Sequence, residues 1–206
     1  AALVALVTPT FAVDQQTTRT IDELKAEVLR RVDVRPQRAP AAGIDPADIR
    51  AAIAPIKTLD RDEWGRGFNA VADKYFEEAK KADASGDSKK AQETFIKAYR
   101  LYKAAHYPTN NSPEKQKAYE RGIESFMGYA KYLDPKLEVV KIPFEGKEII
   151  GYLRMPKAQG KHPLVFMSSA LDGRKEDTME RNEELLHAGI GVFVRSEEHT
   201  SELQSR

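Results

Sequence analysis

Apolar residues between Thr20 and Ala130 recur at three- and four-residue steps, a spacing that predicts amphipathic helices. The first helix is expected from Thr20 to Asp33, with Thr20 and Glu23 forming a capping box. Residues 35–43 contain proline and glycine and are predicted to be a linker. A short second helix is expected from Pro46 to about Pro55, because proline suits the first helical position.

The clearest helical pattern starts at Trp64 and predicts three longer helices joined by short loops, an arrangement typical of antiparallel helical hairpins. The first of these ends at Ser85-Gly86-Asp87, which also caps the next. The second ends at Tyr107-Pro108. The third is expected to have Ser112 as its cap and Pro113 in its first turn, and to run to Ala130.

At Asp134-Pro135 the helical spacing gives way to alternation, which indicates strands. Leu164–Met167 is a continuous apolar run, as expected of a central strand buried on both faces. A strand, a helix and a strand with short links form a βαβ unit, so the sheet is predicted to become parallel. The predicted elements are strands at 137–144 and 148–155 with a turn at 145–147, the strand at 164–167, a helix at 177–187 and a strand at 189–194.

Composition narrows the class of function. The chain has 206 residues, of which 41% are hydrophobic and 32% charged, as in soluble globular proteins. A net charge of +1 without a basic cluster argues against nucleic acid or a membrane surface as a partner of the mature protein. The absence of cysteine excludes thiolate metal sites and cysteine nucleophiles. No metalloprotease or phosphate-loop motif occurs, so neither a metal nor a cofactor is expected.

The first residues are typical of a targeting signal. Ala1 to Val7 are uncharged and apolar, and the small residues Thr10 and Ala12 precede a candidate cleavage position. Residues 1–12 are therefore interpreted as a signal-peptide remnant, and the protein is expected to be exported to the periplasm or the cell exterior. The alternative is a buried strand or the end of a helix.

The last residues have no hydrophobic period. Arg195 to Ser205 resemble the in-frame translation of a widely used short-read sequencing adapter. Residues 195–206 are therefore interpreted as an artefact, with native sequence expected to end near Val194. The alternative is a polar C-terminal tail.

Four phrases together resemble one group of α/β-hydrolases, which contains the fermentation–respiration switch esterase and the dihydroxypseudooxynicotine hydrolase. The phrases are Glu63-Trp64, residues 104–108 with 112–115, residues 142–147 and residues 170–177. The resemblance implies an α/β fold in which a helical, cap-like domain precedes the first strands of a truncated hydrolase sheet. The implied division is a signal remnant at 1–12, a helical segment and linker at 13–59, a helical cap domain at 60–134, a truncated α/β-hydrolase domain at 135–194 and the artefact at 195–206.

The resemblance also implies a chemistry, in which serine attacks the carbonyl of a small ester, amide or activated C–C substrate. It places a backbone oxyanion donor in the loop after the third strand, at Ala170, Leu171 and Asp172. Members of the group usually have Gly-Gly-Leu where this chain has Ser169-Ala170-Leu171. Asp172 matches an acidic position of the group, which implies a role in orienting substrate or the loop. The alternative is that Asp172 caps the helix that follows. His106 is a substrate-lining candidate, against the alternative of a packed or hydrogen-bonded histidine.

The catalytic residues themselves are not found. No serine lies in a Gly-x-Ser-x-Gly elbow, and the acid and histidine follow that serine along the chain in this fold. No catalytic residue is therefore assigned, and the chain as given is expected to be inactive. A competing hypothesis is that the helices of Trp64–Ala130 form a tetratricopeptide-like interaction module. That architecture needs at least about three repeats, whereas one convincing hairpin and no repeated signature occur.

Overall fold

Helices precede a small sheet in the computed structural model, which describes residues 20–34, 41–169 and 173–195. Two short helices and three long ones come first, and two further short helices lie within the sheet region. The elements are α1 (Ile21–Val34), α2 (Pro46–Ile53), α3 (Arg61–Ala84), α4 (Ser88–His106), α5 (Pro113–Ala130), β1 (Glu138–Phe144), β2 (Lys147–Arg154), β3 (Leu164–Ser168), α6 (Lys175–Glu180), α7 (Glu183–His187) and β4 (Gly191–Arg195). Within these ranges, no helix combines the length and apolar character that crossing a bilayer requires.

Capping side chains set most of the helix starts. The predicted capping box is confirmed: the Thr20 N–H donates to Glu23 Oε2 at 2.8 Å, and the Glu23 N–H donates to Thr20 Oγ1 at 3.2 Å. The α3 helix begins before Trp64 because the Asp60 carboxylate accepts the N–H groups of its first turn. Ser112 occupies the N-cap position of α5, but its side chain makes no capping bond.

The helices α3, α4 and α5 pack around a core of alanine and aromatic side chains. Ala72, Ala98 and Ala105 are fully buried, which lets the helices approach closely. Phe76 of α3 meets Tyr102 of α4 edge to face, with ring centroids 6.2 Å apart. The predicted helical hairpins are therefore confirmed, and α3, α4 and α5 are together named the helical layer.

The four strands form one sheet in the order β1-β2-β4-β3. β1 pairs antiparallel with β2, β2 antiparallel with β4, and β3 parallel with β4. The parallel pair confirms the predicted βαβ unit. The hairpin between β1 and β2 turns at Glu145 and Gly146, whose φ angles of 48° and 76° are both left-handed, as a type I′ turn requires.

The predicted burial of β3 on both faces is wrong. Among the described residues β3 pairs with β4 alone, and Leu164 and Phe166 are 54% and 60% exposed. Phe166 pairs with Phe193, so it lies on the sheet face opposite Val192 and Val194. The side chains of α5, α6 and α7 pack against those two valines. Phe166 therefore points away from this core.

The single helix predicted at 177–187 is also wrong, because it is divided into α6 and α7. The chain leaves the helix at Arg181, whose N–H donates to the Thr178 carbonyl instead of extending the helical pattern. The side-chain amide of Asn182 donates to that same carbonyl. Local side-chain bonding of this kind competes with helix continuation. β4 extends through Arg195, the first residue of the segment interpreted as an artefact; residues 196–206 lie outside the described ranges, as do residues 1–12.

A second core joins the helical layer to the sheet. Tyr152 of β2 stacks on Phe126 of α5, with ring centroids 5.6 Å apart and planes 12° from parallel. Met179, Val192 and Val194 belong to the same core. Helices and sheet therefore share buried apolar side chains, and their contact surface also contains the polar groups described next.

Candidate functional site

The predicted oxyanion residues Ala170, Leu171 and Asp172 lie outside the described residues, but both flanks of their segment are described. On one side, the Ser169 N–H donates to the Arg195 carbonyl at 3.2 Å, which extends the pairing of β3 with β4. On the other side, Arg174 precedes α6. The segment therefore follows the carboxyl end of a parallel strand, the position where α/β sheets form their sites.

Asp177 is the centre of a buried polar cluster between α4 and α6. Its Oδ1 accepts from the Tyr99 hydroxyl at 2.7 Å. Its Oδ2 lies 2.8 Å from Lys103 Nζ and accepts the backbone N–H of Arg174 at 3.2 Å. The Lys103 and Asp177 side chains are only 13% and 10% exposed. One carboxylate therefore joins two side chains of α4 to the backbone at the start of α6.

Tyr99 is a permanent donor in this cluster. Burial above all, and then the negative charge of Asp177, raise the pKa of the Tyr99 phenol well above its ordinary value. The phenol therefore keeps its proton at any physiological pH. Tyr99 therefore remains a hydrogen-bond donor to Asp177 throughout that range.

Arg174 bonds to the helical layer through its side chain as well. Its Nη2 lies 3.3 Å from His106 Nδ1 and donates to Asn110 Oδ1 at 3.1 Å. Its guanidinium carbon stands 4.4 Å from the ring centroid of Tyr119, a cation–π distance. The side chain of Arg174 thus contacts the α4–α5 region directly, and its main chain is joined to α4 through Asp177.

His106 is buried at the end of α4, with 4% of its surface exposed, and its ring meets Tyr119 edge to face. Burial first, and then the Arg174 charge, lower the pKa of His106 well below its ordinary value of 6.5. The ring is therefore neutral at physiological pH, with Nδ1 free to accept from Arg174. A role of His106 toward substrate stays a prediction.

Lys175 and Glu176 form a second buried ion pair beside the first. Lys175 Nζ lies 2.8 Å from Glu176 Oε1, and both side chains are almost fully buried. The Tyr152 hydroxyl donates to the same oxygen at 2.8 Å. Lys175 Nζ also stands 5.0 Å from the Tyr152 ring centroid. The start of α6 is thereby fixed to β2 as well as to α4.

A mainly apolar groove of about 500 Å³ runs between α5 and the β1–β2 hairpin, and Lys175 is part of its wall. Ile123 and Met127 of α5 face Val139 and Ile150 of the hairpin across it. The groove and the polar cluster therefore meet at the start of α6.

Residues 63–192 match the sequence model of the family described as Esterase FrsA-like. This chain belongs to the FrsA-like esterase family. The match spans both the helical layer and the sheet, which favours the hydrolase interpretation over a separate tetratricopeptide-like module. The resemblance inferred from the sequence is confirmed.

Curated relatives of this FrsA-like chain are hydrolases. It is 28% identical over 156 residues to the alpha/beta hydrolase ucsC of an Acremonium species, covering 68% of this chain and 32% of that protein. It is 26% identical over 129 residues to the 2,6-dihydropseudooxynicotine hydrolase of Paenarthrobacter nicotinovorans, covering 63% and 35%. The chain thus spans about a third of the length of the curated relatives it matches.

A solved structure confirms the fold of this family member. The crystal structure of the 2,6-dihydroxy-pseudo-oxynicotine hydrolase superposes with a TM-score of 0.61 at 24% identity, covering 73% of this chain and 42% of that one. The predicted architecture, a helical domain followed by the first strands of an α/β-hydrolase sheet, is therefore confirmed.

The cluster residues of this FrsA-like chain were not singled out by the sequence analysis. Arg174 to Asp177 lie within residues 170–177, one of the stretches that resemble the hydrolase family, and no individual role was predicted for them. No role was predicted for Tyr99 or Lys103. One local signal was available: Asp177 lies three residues after Arg174, the spacing at which a side chain can accept the N-cap N–H. The partners on α4 are more than 70 residues earlier, and no local pattern relates them to α6.

Proposed function

We propose that this chain is part of an exported α/β-hydrolase that cleaves a small ester, an amide or an activated C–C bond next to a carbonyl. The observation that carries the proposal is the family match over residues 63–192. The fixed flanks of the 170–172 segment support it, because backbone oxyanion donors need a rigid surrounding.

The proposed reaction begins with attack of a serine hydroxyl on the carbonyl carbon, while a histidine takes the hydroxyl proton. Backbone N–H groups of residues 170–172 would stabilise the negative oxygen of the tetrahedral intermediate. The intermediate then collapses to an acyl-serine as the histidine gives the proton to the leaving group. A water molecule that the histidine deprotonates then attacks the acyl-serine, which releases the acid product and restores the serine hydroxyl. Since no serine of this chain lies in a Gly-x-Ser-x-Gly elbow, we assign none as the nucleophile.

His106 does not serve as the base in this proposal. A general base must reach the proton that it removes. His106 is almost fully buried, and its Nδ1 faces the Arg174 guanidinium. We therefore assign it to the contact between the helical layer and the segment after β3.

The helical layer is proposed to shape the substrate pocket and to exclude water from it. The mainly apolar lining of the groove between α5 and the β1–β2 hairpin favours a small substrate with an apolar part. Export is proposed from the apolar run Ala1–Val7 and the small residues that follow it. Fractionation of cells that express the protein with its natural leader tests export, and retention in the cytoplasm would refute it.

The decisive experiment starts with long-read sequencing of the source DNA across the codon of Val194. If the frame continues into a Gly-x-Ser-x-Gly elbow, the full protein is expressed and assayed with p-nitrophenyl acetate, with the elbow serine replaced by alanine as the control. Serine-dependent turnover supports the proposal. If the genome encodes Arg195 to Arg206 and then a stop, or if the full protein is inactive on esters, amides and activated C–C substrates alike, the proposal fails.

The chain as given is proposed to be inactive, because no nucleophile elbow is part of its sequence. The purified 206-residue chain is compared with its heat-denatured form in the same assay. Turnover above the denatured control would refute this part of the proposal.

A further inference from the structure

The buried ion pair Lys103–Asp177 differs from an exposed pair in the additional donors that its carboxylate binds. Its carboxylate accepts, besides Lys103 Nζ, the backbone N–H of Arg174. A buried carboxylate needs several donors to offset the loss of its hydration. Tyr99 supplies a third donor at 2.7 Å. The Asp177 carboxylate therefore keeps all three donors only when Tyr99 and Lys103 of α4 lie opposite the start of α6.

Arg174 is consequently held through both its main chain and its side chain. Asp177 accepts its N–H, while His106 and Asn110, at and just after the end of α4, bind its guanidinium. Arg174 lies two residues after Asp172, the last of the predicted oxyanion residues. A displacement of about 1 Å in a site that stabilises a transition state can cost about a hundredfold in rate.

We infer that Lys103 and Asp177 are positioning residues, which set the backbone at Arg174, two residues after the predicted oxyanion residue Asp172, relative to the helical layer. The inference rests on the proposed function for its catalytic consequence. Neither residue touches substrate, and neither takes part in a chemical step. Their role is to make α4 the reference against which the backbone at Arg174 is placed.

The test replaces the pair as a unit by apolar side chains of similar size, in the double variant Lys103→Met/Asp177→Leu. No charge is left buried without a partner, and such replacements often preserve folding. The matched control is Glu78→Leu/Lys90→Met, which removes an exposed pair that joins α3 to α4 at 2.9 Å. Because Lys90 and Lys103 lie on the same helix, the control reproduces the loss of charge without the loss of the Arg174 acceptor.

Amide hydrogen exchange in the 206-residue chain is measured first. We expect the Arg174 amide to exchange at least about tenfold faster in Lys103→Met/Asp177→Leu, because its acceptor is gone, while amides in the middle of α3 keep their rates. The control is expected to match the wild type at both places. Unchanged exchange at Arg174, or equal acceleration throughout α3, would overturn the inference, since the pair would then be irrelevant or merely structural.

If the double variant does not fold, Lys103→Met/Asp177→Asn takes its place, since asparagine keeps the shape and removes the charge. In this variant we expect the Arg174 amide to exchange at least about threefold faster than in the wild type. The acceleration is smaller because the asparagine oxygen remains a weaker acceptor. Unchanged exchange at Arg174, or equal acceleration throughout α3, would again overturn the inference.

Kinetics of the full protein complete the test. We expect the double variant to lower kcat at least about tenfold with KM within about twofold, because a displaced oxyanion donor weakens transition-state stabilisation without changing substrate binding. Unchanged kcat in an active enzyme would overturn the catalytic consequence even if the exchange result holds. A wild type without turnover would refute the proposed function, and the exchange measurement would still decide the positioning of Arg174.

Discussion

Burial of a neutral His106 makes the stability of this protein depend on pH. Its pKa is lowered well below 6.5, first by burial and then by Arg174; Lys103 and Lys115 lower it further. In the unfolded chain the imidazole binds a proton at about pH 6.5. Between that pH and the folded pKa, the unfolded state carries the additional proton. The free energy of unfolding therefore rises with pH in this window and falls on acidification.

The size of the effect follows from the same linkage. While the folded ring stays neutral, each pH unit below about 6.5 lowers the free energy of unfolding by up to about 1.4 kcal/mol. Acidification from about pH 6.5 to about pH 5 therefore costs at most about 2 kcal/mol. For a domain of this size, this lowers Tm by at most about 8 °C. Paired carboxylates such as Asp62 and Glu63, whose pKa values are lowered by hydrogen bonds, contribute mainly below about pH 5.

The assay is thermal unfolding followed by circular dichroism at about pH 7.5, 6.5 and 5, in wild type, His106→Gln and His187→Gln. Glutamine does not titrate, and its amide oxygen can accept from Arg174, so His106→Gln is expected to lose most of the acid-dependent fall in Tm. His187 is exposed at the end of α7, and its variant should keep the wild-type slope. An equal slope in wild type and His106→Gln would refute the reasoning.

Four further substitutions test the packing and one partly buried ion pair. Gly67→Ala would place a Cβ 2.3 Å from the Ala52 carbonyl oxygen, so we expect urea unfolding to show a loss of about 1–3 kcal/mol; wild-type stability would show that α2 does not contact α3 there. Phe126→Ala should cost about 3–5 kcal/mol by removing the ring between helices and sheet, and a loss below about 1 kcal/mol would contradict that packing. Glu183→Gln should cost about 2 kcal/mol because Arg154 is fully buried while Glu183 is 38% exposed. Arg154→Met should cost less than Glu183→Gln because no buried charge remains, and the reverse order would contradict this.

The elements that the sequence predicted well are those determined by neighbouring residues. The start of α2 follows from Pro46 and from Asp45, whose carboxylate accepts the Ala47 N–H at 2.8 Å. The β1–β2 hairpin follows from Gly146, which tolerates a left-handed backbone at the turn. In each case the residues that decide the conformation lie within four positions of one another. Such local signals can be found in a single sequence.

The position of β3 could not be predicted in the same way. Leu164–Met167 is apolar throughout, and this pattern is typical of central strands. The apolar run indicates that both faces of β3 are apolar, but it does not indicate which elements cover those faces. That depends on which strand pairs with β3 and on which face the helices pack. In this chain, Val165 and Met167 lie on the face of Val192 and Val194, whereas Phe166 shares the other face with Phe193.

The polar cluster escaped prediction for a different reason. Lys103 and Asp177 are of residue types that usually lie at the surface, and each alone fits a solvated helix face. They become a buried pair only because the shared core of Phe126 and Tyr152 brings the helical layer onto the sheet and encloses the ends of α4 and α6. The apolar contact thus determines where the charges meet. The charges in turn permit only one register of that contact, because a shifted register would leave Asp177 buried without Tyr99 and Lys103. The charged residues therefore determine how the helical layer is positioned on the sheet, and the apolar residues supply most of the free energy of that contact.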